Sequence, residues 1–141
     1  MTILIMPTEQ EPSLDAVRGW IRGALRDLPL AVRLQTEVVA DELVSNARRH
    51  GLAPYVLRLD VRDDRRALLV SVDDCAPPRG DWAASGGLVL VGGLSERWGV
   101  EPRRQAKTVW AELTFDRPVL DLDTPEQPVP RPGRRGRRAR P

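Results

Sequence analysis

One stretch of helix, residues 31–50, decides most of what this chain can become. Leu34 and Val38 begin an apolar stripe at helical spacing. Over the later turns Glu42, Asn46 and His50 stand at i, i+4 and i+8 and share one face. Leu43, Val44 and Ala47 point elsewhere and can pack. Asn46 is the chain's only asparagine and His50 its only histidine. A carboxylate one turn from a carboxamide suits oxygen-based chemistry. An amide oxygen can hold a hard cation such as magnesium, and a glutamate can orient or deprotonate a nearby hydroxyl. The bland alternative is the solvated face of an amphipathic helix, with His50 serving the terminal carbonyls. Gly51 is a natural stop at the C′ position.

Around this helix the pattern predicts a small α/β body. Thr2 to Met6 alternates as a short strand. Pro7 to Pro12 is a polar connection. Ser13 can cap a helix reaching about Leu28, with Leu14, Val17, Ile21, Ala24 and Leu25 at helical spacing and Pro29 closing it. Tyr55 to Val61 and Ala67 to Val72 read as two strands joined by the polar turn Asp63-Asp64-Arg65-Arg66, an antiparallel hairpin. Residues 73–86 form a loop rich in Pro, Gly and Ala. Leu88 to Trp98 reads as a third helix, although Gly92 and Gly93 each cost it roughly 1 kcal/mol relative to alanine. Val100 to Arg103 begins a strand, and Thr108 to Phe115 alternates as the last one. The order β-α-α-β-β-loop-α-β-β specifies a two-layer α/β (α+β) sandwich, its helices on one face of a mixed, mainly antiparallel sheet.

Three further segments carry polar chemistry. Val70-Ser-Val-Asp-Asp74 ends a strand with carboxylates, and either Asp73 or Asp74 could face a ligand; a turn before Pro77-Pro78 is the plainer reading. Ser85-Gly86-Gly87 precedes the third helix, where glycine permits close backbone approach and free amides favour an anion; it also reads as a hinge. Lys107-Thr108 opens the last strand.

Glu42-Leu-Val-Ser-Asn46-Ala-Arg-Arg-His50-Gly51 resembles the N box of the GHKL, or Bergerat-fold, ATPases. Within them it is most similar to the anti-sigma-factor serine/threonine kinases and the small histidine-kinase-like ATP-binding proteins of actinomycetes. The likeness runs from about Ser13 to Phe115. It implies a sheet covered on one face by about three helices, and a site for ATP and Mg2+. Carried over residue by residue, Glu42 would be the catalytic base, and Asn46 the magnesium ligand. His50, Asp74, Gly86, Gly87 and Thr108 would line the nucleotide. Asp74 would accept from the adenine amino group, with Asp73 as the adjacent alternative. Gly86 and Gly87 would pass close to the phosphates. Trp98, which recurs in the actinomycete proteins, reads as core. The chain departs from the pattern at Ala76, Ser85 and Ala106, where glycines are expected, and its lid between Asp74 and Gly87 is short.

Charge and composition limit the rest. A chain of 141 residues suits one domain, 1–116. Beyond it, residues 117–141 hold seven arginines against three acids, a net charge of +4 that leaves −2 for the remainder of a chain totalling +2. Six prolines and little apolar content there predict a disordered Pro/Arg-rich tail. Arginines without interleaved aromatics give little basis for nucleic-acid binding. No apolar run approaches a membrane span of roughly 18 residues, and Met1 to Met6 is too short for a signal peptide. Lone Cys75 fits a reducing cytoplasm, and one Cys with one His cannot complete a structural zinc site. The partners implied by the resemblance are an anti-anti-sigma-factor-like protein, a competing sigma factor, and a second copy in a homodimer. The rival reading is a non-catalytic partner-switching module with a degenerate lid.

Overall fold

The computed structural model describes residues 2–6, 13–62, 66–77 and 87–115. Along the chain run β1 (Thr2–Met6), α1 (Leu14–Ala24), α2 (Leu30–His50), β2 (Tyr55–Arg62), β3 (Ala67–Asp74), α3 (Gly87–Leu94), β4 (Arg97–Arg103) and β5 (Ala106–Thr114). The expected two-layer α+β sandwich is what forms. Its five strands lie in the order β1-β2-β3-β5-β4. Every pairing is antiparallel, so the sheet is not mixed. The chain leaves the sheet after β3, makes α3, lays down β4 at the far edge, and turns back to insert β5 beside β3.

Strand alternation sorts the side chains into two faces. Tyr55, Leu57 and Leu59 of β2, Leu68, Val70 and Val72 of β3, and Val109, Ala111 and Leu113 of β5 all join one buried cluster. Val17 and Ile21 of α1, Val39, Ala40, Leu43, Val44 and Ala47 of α2, and Leu88 and Val91 of α3 meet them from the helical layer. Burial on this scale is the main force holding the layers together, at about 1.5–3 kcal/mol for each large aliphatic side chain.

The helix α2 is the centre of the helical layer, packing on β2, β3 and β5 and on both other helices. Glu37 and Asp41, one turn apart, face α1. Arg22 grips Glu37 with Nε and Nη2 at 3.1 and 3.2 Å, and Arg18 reaches Asp41 with Nε at 2.7 Å. Gln35 donates to the carbonyl of Leu94 at the end of α3, at 3.3 Å.

Several element boundaries differ from expectation for identifiable reasons. The helix α1 begins where Ser13 Oγ accepts from Ala16 N–H, but stops at Ala24; Leu25 and Leu28 stay buried in a turn that directs the chain into α2. The third helix ends at Leu94, not Trp98. Ser95 closes it by donating through both N–H and Oγ to the carbonyl of Val91. Trp98 is core, as expected, but belongs to β4, and its indole lies against Gly92, where a Cβ would stand 3.1 Å from Nε1. The glycine that weakens the helix therefore makes room for the strand that follows. Finally, β3 runs on to Asp74 and β5 starts at Ala106, because these ends continue to pair: Asp73 with Thr108 and Asp74 with Lys107. The segments expected as the Asp63-Asp64-Arg65 turn, the Pro7–Pro12 connection, most of the lid and the tail lie outside the described residues.

Candidate functional site

The face of α2 formed by Glu42, Asn46 and His50 turns away from α1, unlike that of Glu37 and Asp41. Glu42 is half-buried and has no hydrogen bond or ion pair among the described residues. Asn46 is fully buried, and neither Oδ1 nor Nδ2 finds a hydrogen-bond partner among the described residues. An amide left in that state costs about 1–3 kcal/mol unless something else supplies the missing partners. His50 ends the helix half-buried, and its carbonyl accepts from Lys107 Nζ at 3.3 Å. Along α2, Asn46 and His50 are separated by about 6 Å of rise.

Alternation on β3 separates the two candidate aspartates. Asp74 points inward with Val72 and Val70, toward α2. Asp73 points to the opposite face. There it takes an ion pair from Arg58 Nη1 at 2.5 Å and a hydrogen bond from Thr108 Oγ1 at 2.7 Å, while Arg103 Nε donates to Thr108 at 2.8 Å. Thr108 is therefore not brought together with Asn46 and Asp74. The inward residue at the head of β5 is its neighbour, Lys107.

Asp74 and Lys107 form an enclosed ion pair, the lysine 1% and the aspartate 2% exposed. Lys107 Nζ reaches Oδ1 at 3.1 Å and Oδ2 at 3.0 Å, but only the contact to Oδ1 has hydrogen-bond geometry. The other acceptors of the ammonium are the carbonyls of His50 and Ala76, each at 3.3 Å. Ala76 N–H donates to the same Oδ1 at 2.8 Å, an Asx turn that ends the strand. Oδ2 is left buried without a hydrogen bond. Burial pushes the Asp74 carboxyl above its ordinary pKa, opposed by the Ala76 N–H and by the bond and charge of Lys107. The main-chain N–H of Leu52 also favours the ionised form.

Gly51 completes the enclosure. It ends α2 in an extended conformation, φ −127°, not in the left-handed turn its C′ position suggests. Its lack of a side chain has a different use: a Cβ would stand 2.3 Å from Asp74 Cγ and 2.5 Å from Oδ2. The Cys75 N–H bond to the Leu52 carbonyl, at 2.8 Å, fastens the strand end to the segment after α2.

Of the residues named from the sequence, Asp74 lies on the inner face of the sheet and Thr108 on the outer one, so that Lys107 and not Thr108 meets Asp74. One signal pointed to Lys107: it is the single lysine among 22 basic residues. A compact ammonium can serve three acceptors converging from different directions, which a planar guanidinium cannot. Gly87 opens α3, and Gly86 lies outside the described residues. Among the described residues no cluster of three His, Cys, Asp or Glu side chains could hold a metal, and no helix is long and apolar enough to cross a membrane. A magnesium ion at Asn46 would accordingly depend on that amide oxygen together with the phosphates of a ligand.

The fold is that of a two-layer α+β domain with an antiparallel sheet, the architecture the N-box resemblance implies. Among solved structures it is similar to Acinetobacter baumannii histidine kinase AdeS, with a TM-score of 0.49 and 13% sequence identity over 83% of this chain and 69% of that one. No residue role is drawn from that likeness. No family model and no curated protein matches the sequence.

Proposed function

We propose that this chain binds ATP with magnesium and transfers the γ-phosphoryl group to a serine or threonine of a protein partner, in the manner of the anti-sigma-factor kinases. The observation that carries the reading is a pair of buried polar groups without hydrogen bonds on α2 and at the end of β3: the amide of Asn46 and Oδ2 of Asp74. Both are buried, both lack a hydrogen bond among the described residues, and they fit complementary ends of one ligand. The amide oxygen suits a magnesium bound to phosphates, and a carboxylate oxygen suits the exocyclic amine of adenine.

Glu42, one turn before Asn46 and unpaired among the described residues, would accept the hydroxyl proton as that oxygen bonds to the γ-phosphorus and ADP departs. Magnesium, when bound, supplies neutralisation of phosphate charge. Such transfer depends mainly on positioning and electrostatics, so a short set of residues can suffice. The protein substrate on this reading is a small anti-anti-sigma-factor-like partner, with a sigma factor competing for the same domain and a second copy completing a homodimer.

Calorimetry with ATP, with and without magnesium, on wild type and Asn46→Ala tests the site. Magnesium-dependent binding in the micromolar range, abolished by the substitution, is expected. No binding by the folded wild type would sink the nucleotide reading. Glu42→Ala should bind ATP and fail to phosphorylate the acceptor; retained transfer would remove Glu42 as base.

A second reading, a partner-switching module without turnover, is favoured by one observation. Asp74 is enclosed by Lys107 and Gly51 within the chain itself. ADP formation in the presence of an acceptor protein separates the two.

A further inference from the structure

The head of β5 carries a buried cation that the reading above does not use. Lys107 touches three separately positioned acceptors: the last carbonyl of α2, Oδ1 of Asp74 at the end of β3, and the carbonyl of Ala76 beyond it. An ammonium has three protons, so each has an acceptor. The consequence falls on Asp74. Its Oδ1 receives two hydrogen bonds, from Lys107 and from Ala76 N–H, whereas its Oδ2 receives none and has only the ion-pair contact of Lys107 Nζ at 3.0 Å. The carboxylate is thus held in one orientation, with one oxygen taking both hydrogen bonds and the other taking none. Asp73, adjacent in sequence, has donors on both oxygens and no such asymmetry.

We propose that Lys107 is a positioning residue for base recognition: its ammonium holds the Asp74 carboxylate ionised and in one orientation, in which Oδ2, the oxygen without a hydrogen bond, is the acceptor for the exocyclic amine of an adenine nucleotide. This rests on the nucleotide reading and adds the residue that makes the aspartate selective. Lys107 does not touch the ligand. It keeps the carboxyl ionised in a place where burial alone favours the protonated form, which would present a donor to the amine's own hydrogens. The other titratable groups around Asp74 are His50 at the end of α2, Cys75 next in the chain, and Tyr55, which begins β2 on the same face.

The test compares ATP with inosine triphosphate, which has a carbonyl in place of the amine. Affinities of both are measured by calorimetry with magnesium, from pH 6 to pH 9, on the full chain and on Lys107→Met. The wild type should prefer ATP, with a ratio that does not change over this range. In Lys107→Met, ATP affinity at neutral pH should fall by about tenfold to a hundredfold, the loss of one hydrogen bond to a charged group. Inosine triphosphate should lose little, so the preference collapses. It should return as the pH is raised and Asp74 ionises, a recovery that a merely structural lysine would not produce. Lys107→Gln keeps amide donors without the charge. It carries the same test should the methionine variant not fold, with a reduced preference that again recovers at high pH.

An unchanged preference and flat pH profile in the folded variants, with the wild type binding ATP, overturns the proposal alone. A wild type that binds neither nucleotide overturns the nucleotide reading and this inference together.

Discussion

Asp73 and Asp74 are the same residue type, one bond apart on the same strand, and they meet opposite fates. Asp73 lies on the outer face of the sheet in a chain of partners: Arg58 on one oxygen, Thr108 on the other, Arg103 behind Thr108. Asp74 lies on the inner face, shut in with Lys107, and ends with one oxygen lacking a hydrogen bond. The outer network is complete and partly exposed to water, so each bond adds little. The inner pair is sealed from water, so each missing or added partner matters greatly. A sheet converts a shift of one residue into a change of solvent, and with it a change in what a carboxylate is for.

The largest contrast should appear when the inner pair is broken. Lys107→Met leaves a buried carboxylate unpaired and should lower stability by about 3–5 kcal/mol in urea unfolding. Replacing both partners, Lys107→Met with Asp74→Leu, should restore wild-type stability or exceed it. If the double variant is as unstable as the single one, the pair stabilises the fold in its own right, and the contrast between the faces weakens.

Next in size is the enclosure. Gly51→Ala forces a methyl group against the Asp74 carboxylate, which Lys107 holds in place, and should cost about 1–3 kcal/mol. Wild-type stability of this variant would mean that the carboxylate swings aside freely.

Acid sharpens the comparison in another way. The folded Asp74 carboxyl has a raised pKa, so the fold holds that proton more tightly than the unfolded chain does. Its contribution is complete below the ordinary value of 3.8 and is lost as pH rises through the raised value. Relative to Asp74→Asn, wild type should therefore lose stability between pH 3.5 and pH 7, by about 1.4 kcal/mol for each unit of elevation. Denaturant titrations at the two pH values read it directly, and a gain in place of a loss would reverse the assignment.

On the outer face, Asp73→Asn removes the charge and keeps an acceptor for Thr108. Stability should change by no more than about 1 kcal/mol, and ATP affinity should not change. Loss of ATP binding here would move base recognition to the wrong side of the sheet for the present reading. The smallest effect belongs to Gln105, which turns β4 into β5 beside this network with φ +56°. Gln105→Gly relieves the left-handed strain but frees the unfolded chain, so thermal unfolding should register a gain of at most about 1 kcal/mol.

Much of this arrangement was legible in the sequence. Periodicity fixed α2 almost to the residue, because Leu34 and Val38 set its apolar stripe, Glu42, Asn46 and His50 continue at the same spacing, and Gly51 marks its end. The β2–β3 hairpin followed from alternation, and the order of elements gave the sandwich. Glu42, Asn46 and His50 were placed on one face by helix geometry alone. Short-range signals failed where a distant neighbour decides. Trp98 extends an apparently helical run, but a cavity at Gly92 claims its indole for β4. The carboxylate register at Asp73 and Asp74 stayed open because either residue can end a strand.

By itself, then, the sequence determined the elements, the apolar face of each, and the polar stripe on α2, since these depend on local spacing. Tertiary structure decided which aspartate turns inward, that Lys107 and not Thr108 meets it, and that Gly51 is needed for its size and not its φ. Those outcomes depend on the pairing of β3 with β5 and on the end of α2 resting against both. Contacts between segments separated by 33 residues, as Asp74 and Lys107 are, leave no period in the chain from which they could be read.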